Sequence, residues 1–301
     1  MCLYRFIITN LDLTHFFRQI TYYDYIYGLR RRTNIKSKED ESAPKQDKPK
    51  AVEAILKEQL ETSLHEFRRS NSGLFVSSLN AGLEIGFTIV LMGTVMTMFG
   101  QQVSPEKLHL YLALCYPLGF IFVIIGRSEL FTEHTALAII PVLRGTVKIK
   151  DLFILWGIVY SGNLLGGFVF SFILVKLAPV IGFTSEAAFE EMALKMLDYS
   201  SWVIFTSAIL AGWMMGLLGW LVTSSQETIS RILVVILVTF TIGLAGLHHC
   251  IVGSIEVFSG MLVSPEIDFL EYLRFQSWAT LGNSFGGAVF VAVLKYSHAS
   301  I

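Results

Sequence analysis

The chain has 301 residues, 53% of them hydrophobic and 16% charged, with 23 Lys+Arg against 24 Asp+Glu and a mean hydropathy of +0.58. A formal net charge of −1 offers no basic surface, which excludes nucleic acid as a main partner. Three widely spaced cysteines, Cys2, Cys115 and Cys250, exclude a disulfide-stapled secreted domain. The charge is uneven. Residues 1–72 hold 13 of the basic and 10 of the acidic residues, leaving 10 and 14 for residues 73–301. That is less than half the ~25% charged fraction of a soluble domain, so the apolar bulk belongs in a bilayer.

In chain order, residues 1–35 are rich in aromatics (Phe16, Phe17, Tyr22, Tyr23, Tyr25, Tyr27) but too charged for a span. They lack the apolar core and small-residue cleavage site of a signal peptide, and no role follows for them. Residues 36–50 are too polar to bury a core and read as disordered, so 1–50 is a mostly disordered cytoplasmic lead-in. Over 51–72, Ala51, Ile55, Leu56, Leu60, Leu64 and Phe67 recur at helical spacing, predicting an amphipathic cytoplasmic helix, solvated and leading into the first span. Residues 73–297 form the six-span part. Six apolar segments, near 73–99, 108–142, 152–178, 201–223, 231–262 and 274–296, each approach or exceed the ~20 residues that cross a hydrocarbon core.

Segments two and five are too long for one simple helix and carry polar residues in the middle. The second contains Gly126-Arg127-Ser128-Glu129-Leu130-Phe131-Thr132-Glu133-His134, and the fifth contains Gly246-Leu247-His248-His249-Cys250 and then Glu256. Ionisable residues at membrane depth are costly and line cavities or pathways, so both segments read as broken by polar loops. Arg144, Lys148, Lys150 and Arg231 in the loops after segments two and four put both termini in the cytoplasm. The stretch after segment three, with Glu186, Glu190, Glu191, Lys195 and Asp198, reads as an outer loop.

An internal repeat locates the site. Gly162-Asn163-Leu164-Leu165-Gly166-Gly167 in segment three recurs as Gly282-Asn283-Ser284-Phe285-Gly286-Gly287 in segment six. The same offset of 120 carries Gly126 onto Gly246 and Glu129 onto His249. Ala81-Gly82 with Gly86 recurs as Ala211-Gly212 with Gly216. Three spans repeated as three more have opposite orientation, the inverted-repeat plan whose interrupted helices meet near the midplane. The glycines themselves read as helix packing.

On these residues, Glu129-Leu130-Phe131-Thr132, Gly246-Leu247-His248-His249 and the two Gly-Asn-x-x-Gly-Gly patterns, the chain resembles the formate/nitrite transporter family, which includes hydrosulfide channels. The resemblance covers about residues 70–297. It implies an all-α, aquaporin-like protomer in the plasma (inner) membrane, five of which form a homopentamer with a pore in each. It implies that His249 is the central pore histidine, that Thr132 is the loop threonine facing it, and that Leu130 and Phe131 belong to an apolar constriction. Lys195 resembles a vestibule lysine and Asn283 a polar asparagine near the histidine, with Asn163 its more structural mate. Departures mark a divergent branch. His248 stands where an acid is common, Gly212 where an asparagine is, and Ile242 where a constriction phenylalanine is. Arg127 precedes the loop acid, Glu133-His134 follow the threonine, and Glu84 and Glu256 are additional.

The function expected is a channel or proton-coupled transporter for a small monovalent anion or its conjugate acid. An anion entering an apolar constriction loses hydration at a cost of several kcal/mol. A histidine can supply a proton or positive charge at physiological pH. Arg127 is either an anion ligand or an ion-pair partner of Glu84, Glu129 or Glu256. Glu129 is expected to anchor its loop by accepting backbone N–H groups, and Glu133 and Glu256 are grouped with it as structural loop acids. One alternative is a pore for neutral solutes. The other is a membrane metalloenzyme with His134, His248, His249 and Glu256 as ligands, disfavoured by the absence of HExxH, CxxC or GxxxxGK. No cofactor and no metal are expected.

Overall fold

A computed structural model describes residues 49–293. The lead-in expected to be disordered, up to residue 48, and the end of the sixth segment lie outside the described residues. Every regular element described is helical: α1 (Val52–Glu66), α2 (Asn71–Phe99), α3 (Pro105–Cys115), α4 (Pro117–Gly126), α5 (Phe131–Leu137), α6 (Ile140–Leu143), α7 (Ile149–Ile181), α8 (Glu186–Leu197), α9 (Ser201–Ser224), α10 (Thr228–Leu244), α11 (Val252–Val263) and α12 (Phe269–Phe285), with a π-helical continuation over Gly286–Val293. Their boundaries follow local chemistry. The hydroxyls of Ser70, Ser185 and Ser200 accept the N–H of Gly73, Ala188 and Val203, and the Asp268 carboxylate accepts that of Glu271 at 2.9 Å. Each satisfies a donor that a helix start leaves free.

Four stretches are long and apolar enough to cross a membrane: Asn71–Phe99, Pro105–Gly126, Ile149–Ile181 and Ser201–Ser224. The chain is a multi-pass membrane protein. Segment five divides into Thr228–Leu244 and Val252–Val263, each too short to span alone. Segment two has a second interruption at Pro117, which has no N–H to donate and whose ring disrupts the ladder. The Thr88 hydroxyl compensates from α2, donating to the Tyr116 carbonyl at 3.3 Å and accepting the Gly119 N–H at 2.9 Å.

Two helix pairs pack at backbone contact, α2 with α7 and α9 with α12. A methyl added to Gly82 would overlap the Asn163 carbonyl, and one on Gly212 would overlap the Asn283 carbonyl. Likewise Gly166 lies against the Leu79 carbonyl and Gly286 against that of Ile209. The packing role expected of these glycines is thus met by the same contact in both halves of the chain.

Two elements differ from the sequence reading. The amphipathic helix α1 is not simply solvated: Ile55 and Leu56 are buried with Ile140 of α6 and Trp220 of α9, and Lys50 donates to the Thr223 carbonyl at 2.7 Å. The stretch after segment three is not a loop but α8, lying at the opposite end from α1. Its Phe189, Met192 and Ala193 are buried, and Ala193 meets Gly260 of α11. Five charges in thirteen residues obscured an apolar stripe at 189, 192, 193, 196 and 197 that has helical spacing.

Gly212→Ala is predicted to lower the thermal midpoint of the detergent-solubilised protein, at a cost on the order of 3 kcal/mol, because its methyl meets backbone that cannot swing away. Gly157→Ala, with nothing within 4 Å of the added methyl, is the control and should hold or slightly raise the midpoint.

Candidate functional site

The two breaks are built alike. Arg127 (φ 60°) ends α4 and Gly246 (φ 61°) follows α10, both left-handed. The next amide in each case turns back, Ser128 N–H to the Val123 carbonyl and Leu247 N–H to the Ile242 carbonyl, both at 3.0 Å. A carboxamide from a neighbouring helix then satisfies the freed backbone. Asn163 of α7 accepts the Phe131 N–H at 2.8 Å and donates to the carbonyls of Ser78 at 2.7 Å and Glu129 at 2.8 Å. Asn283 of α12 accepts the Cys250 N–H at 2.8 Å and donates to the carbonyls of Ala208 at 2.7 Å and His248 at 3.0 Å. The breaks therefore correspond at an offset of 119, not the 120 that relates Asn163 to Asn283. Arg127 matches Gly246 and Glu129 matches His248, so His249 is the counterpart of Leu130. The second connection, from break to asparagine, is one residue longer (33 against 32), which equal spacing of the glycines did not reveal.

This scaffold brings His249 against Thr132. The Nε2 of His249 lies 2.9 Å from the Thr132 hydroxyl, with both residues no more than 1% exposed. His249 Nδ1 faces the backbone N–H of Ile251 and Val252 at 3.3 Å each, the free donors at the start of α11. Nδ1 is therefore the acceptor, which assigns the ring proton to Nε2. The Nε2–H donates to Thr132, leaving the threonine's own proton for a solute. The Phe120 ring lies edge-on to the imidazole at 5.3 Å, and Leu130 and Ile242 are wholly buried.

His249 also lines a cavity of about 80 Å³ between α2, α3, α8, α10 and α11, whose other walls include Met92, His109, Tyr116, Met196, Lys195 and Glu256. Lys195 reaches the cavity wall from α8, where it pairs with Glu191 at 2.8 Å. Glu256 sits on helix α11 rather than in a loop, and it faces the cavity. His109 and Tyr116 were not singled out in the sequence, although an ionisable side chain within an apolar segment was the available signal.

Other expected residues support the scaffold. Asn283 holds the backbone, as above. His248 is buried, with Nδ1 2.9 Å from the Ser207 hydroxyl and its ring against Tyr199 and Phe275. Phe131 packs its ring on Tyr160 at 4.9 Å and Trp156 at 6.1 Å. Glu133 lines a smaller cavity of about 50 Å³ with Gln59, Thr62 and Thr223. Arg127 is exposed, sits at a left-handed backbone turn and makes no ion pair among the described residues. Of its expected partners, Glu84 accepts from Asn80 at 2.8 Å.

Glu129 is an anchor of a different kind from the one expected. Asn163, with donor and acceptor in one group, already serves the backbone, so the carboxylate is left to pair with Arg69 and His134, each at 2.5 Å. Arg69 also pairs with Glu66 at 2.6 Å. Burial acts to lower the Arg69 guanidinium, and the hydrogen bonds and charges of Glu66 and Glu129 outweigh it, holding it above its ordinary value. The chain Glu66–Arg69–Glu129–His134 ties the end of α1 to the first break. Among the described residues no three His, Cys, Asp or Glu side chains converge on a point that could hold a metal.

Two substitutions test this scaffold. Asn163→Leu should strand the Phe131 N–H and two carbonyls, costing several kcal/mol at ~1–3 kcal/mol each, and hydrogen exchange at the Phe131 amide should rise. Arg127→Gly should raise the thermal midpoint, since left-handed strain of ~1–2 kcal/mol exceeds the ~0.5–1 kcal/mol entropic cost of glycine. Arg127→Val should lower it.

A profile of the formate/nitrite transporter family matches residues 53–297. The inner membrane protein YfdC of Escherichia coli is 29% identical over 241 residues, covering 78% of this chain and 74% of its own. The nitrite transporter NirC of Salmonella typhimurium is 26% identical, covering 73% and 81%, and the formate channel FocA of Haemophilus influenzae is 26% identical, covering 73% and 84%. Among solved structures, an FNT family ion channel superimposes with a TM-score of 0.71 at 21% identity, covering 81% of this chain and 98% of its own. A pentameric formate channel with formate bound gives 0.64 at 23%, covering 77% and 98%. NirC and FocA are named as a transporter and a channel, and both solved structures as channels, rather than as enzymes. With a profile match across most of its length, the chain belongs to the formate/nitrite transporter family.

Proposed function

We propose that the protein is a channel or proton-coupled transporter for a small monovalent anion or its conjugate weak acid, formate or nitrite among them. The path runs from the α8 side through the cavity to the His249–Thr132 contact. The observation that carries this reading is that contact: two side chains from two separate helix breaks, hydrogen-bonded at 2.9 Å at the wall of a cavity. A solute stripped of water at a constriction of Phe120, Leu130 and Ile242 loses several kcal/mol of hydration. The Thr132 hydroxyl, oriented by His249, offers a directed donor that replaces part of it. The N-terminus of α11, whose amides hold His249, adds a positive dipole end. His249 is also the group through which a proton would accompany the solute.

In this reading the chain crosses the membrane six times as two inverted three-helix repeats, aquaporin-like. The matched asparagine clamps, left-handed turns and glycine contacts at offsets of 119, 120 and 130 support the repeat. Loop charges Arg144, Lys148, Lys150 and Arg231 support an inner-membrane orientation with both termini and α1 in the cytoplasm. The pentameric formate channel supports a homopentamer embedded in lipid. Lys195 draws anions toward the cavity, Leu130 and Phe131 shape the constriction, and Asn283 and His248 position its histidine. Exposed Arg127 adds positive charge on the cytoplasmic side of the break.

Proteoliposome influx of formate, nitrite, acetate, hydrosulfide and glycerol tests the reading. His249→Phe should cut formate flux roughly 10- to 100-fold, the worth of one hydrogen bond to a charged group, and alter its pH dependence while the thermal midpoint is kept. Unchanged flux and pH response would remove His249 from the path, and movement of glycerol alone would make this a pore for neutral solutes.

A further inference from the structure

The smaller cavity, of about 50 Å³, lies away from His249 and under the lead-in helix. Its polar wall comes from three elements: Gln59 and Thr62 of α1, Glu133 of α5 and Thr223 of α9. The atoms they offer are of one kind. The Thr62 hydroxyl donates to the Glu58 carbonyl at 2.9 Å, and the Thr223 hydroxyl donates to the Gly219 carbonyl at 2.8 Å. Each hydroxyl has thus used its one proton and has only lone pairs left. Gln59 is 6% exposed, and its carboxamide has no hydrogen-bond partner among the described residues, which leaves its carbonyl oxygen for the cavity. The Glu133 carboxyl group has no partner among them either. Thr62 is exposed, so the cavity meets water beside α1. The charged groups around Glu133 are His134, Glu129 and Glu66. Arg69 is shared between the two acids, and His134 is bound to Glu129. Lys50, at the Thr223 carbonyl, pairs with Glu58 at 2.6 Å. Among the described residues, the cations on these elements are all committed to other acids.

We propose that this cavity binds a monovalent alkali cation such as Na⁺, held by the Glu133 carboxylate, the hydroxyl oxygens of Thr62 and Thr223, and the Gln59 carbonyl oxygen. A carboxylate buried alone is costly, and a cation beside it removes that cost by making the pair neutral. Hard oxygen donors suit a hard cation. One carboxylate among neutral oxygens balances one positive charge, whereas calcium sites gather several carboxylates. The bound cation joins α1 to α9 and to the half-helix α5 that carries Thr132. This site stands apart from the conduction path and does not depend on it.

The test measures the thermal midpoint of the full chain in detergent, in sodium chloride and in N-methyl-D-glucamine chloride at equal ionic strength, which keeps charge screening the same. Na⁺ at tenfold over its Kd should raise the wild-type midpoint by about 3 to 6 °C and saturate. Hydrogen exchange at the α1 amides should slow in Na⁺. Glu133→Gln should lose the difference between the two salts, and Thr223→Val should weaken the apparent Na⁺ affinity roughly tenfold. A wild-type midpoint and α1 exchange that are the same in both salts would overturn the proposal and leave the cavity filled with water only. A Na⁺ shift that survives intact in Glu133→Gln would overturn it as well, by placing the cation elsewhere. If Glu133→Gln fails to fold, the wild-type comparison and Thr223→Val decide, and unchanged Na⁺ affinity in Thr223→Val counts against the site.

Discussion

A helix that breaks inside a bilayer exposes N–H and C=O groups where no water can reach them, and each left unpaired costs several kcal/mol. In this protein that constraint is met twice by one device, an asparagine carboxamide on a neighbouring helix. Asn163 and Asn283 each join the amide after a break to the carbonyl before it and to a carbonyl of a third helix. The carboxamides reach because glycines let the helices pack at backbone contact, Gly82 on the Asn163 carbonyl and Gly212 on that of Asn283. Close packing, breaks and clamps thus form one unit, and the His249–Thr132 contact is its product.

The same unit decides which charges are free to act. Since Asn163 serves the backbone of the first break, the Glu129 carboxylate is available to Arg69 and His134, and α1 is bound to the rest through Arg69 and the Ile55, Leu56, Ile140 and Trp220 cluster. At the other end α8 closes over α11 through Phe189, Ala193 and Gly260 and brings Lys195 and Met196 to the cavity. The lead-in helix and α8 flank the broken segments from opposite ends, so neither is a passive connector.

Much of this was legible in the residues, because bilayer physics restricts what a sequence can mean. Polar runs inside segments two and five could only be breaks, and the repeated Gly-Asn-x-x-Gly-Gly pointed to the helices that hold them. Three things were hidden. The register slip of one residue between the breaks depends on connection length, which glycine spacing does not report. The α8 helix was masked by its charges, although Ser185 and the apolar stripe from Phe189 marked it. Glu256 was grouped with loop acids because its position seven residues after His249 gains meaning only once α11 is known to continue helically past the break. Arg127 shows the converse: a charge at membrane depth in sequence terms is, in the fold, a left-handed turn residue with its side chain exposed.

The function proposed for this protein depends on the cavity ending at His249 and Thr132 being the route a solute takes. The most direct measurement places a single cysteine at Met196, on the cavity wall, in a background with Cys2, Cys115 and Cys250 replaced, and follows formate flux before and after treatment with a small charged thiosulfonate. Modification from the α8 side should stop flux, and formate should slow the modification. Modification that goes to completion and leaves formate flux unchanged would contradict that route.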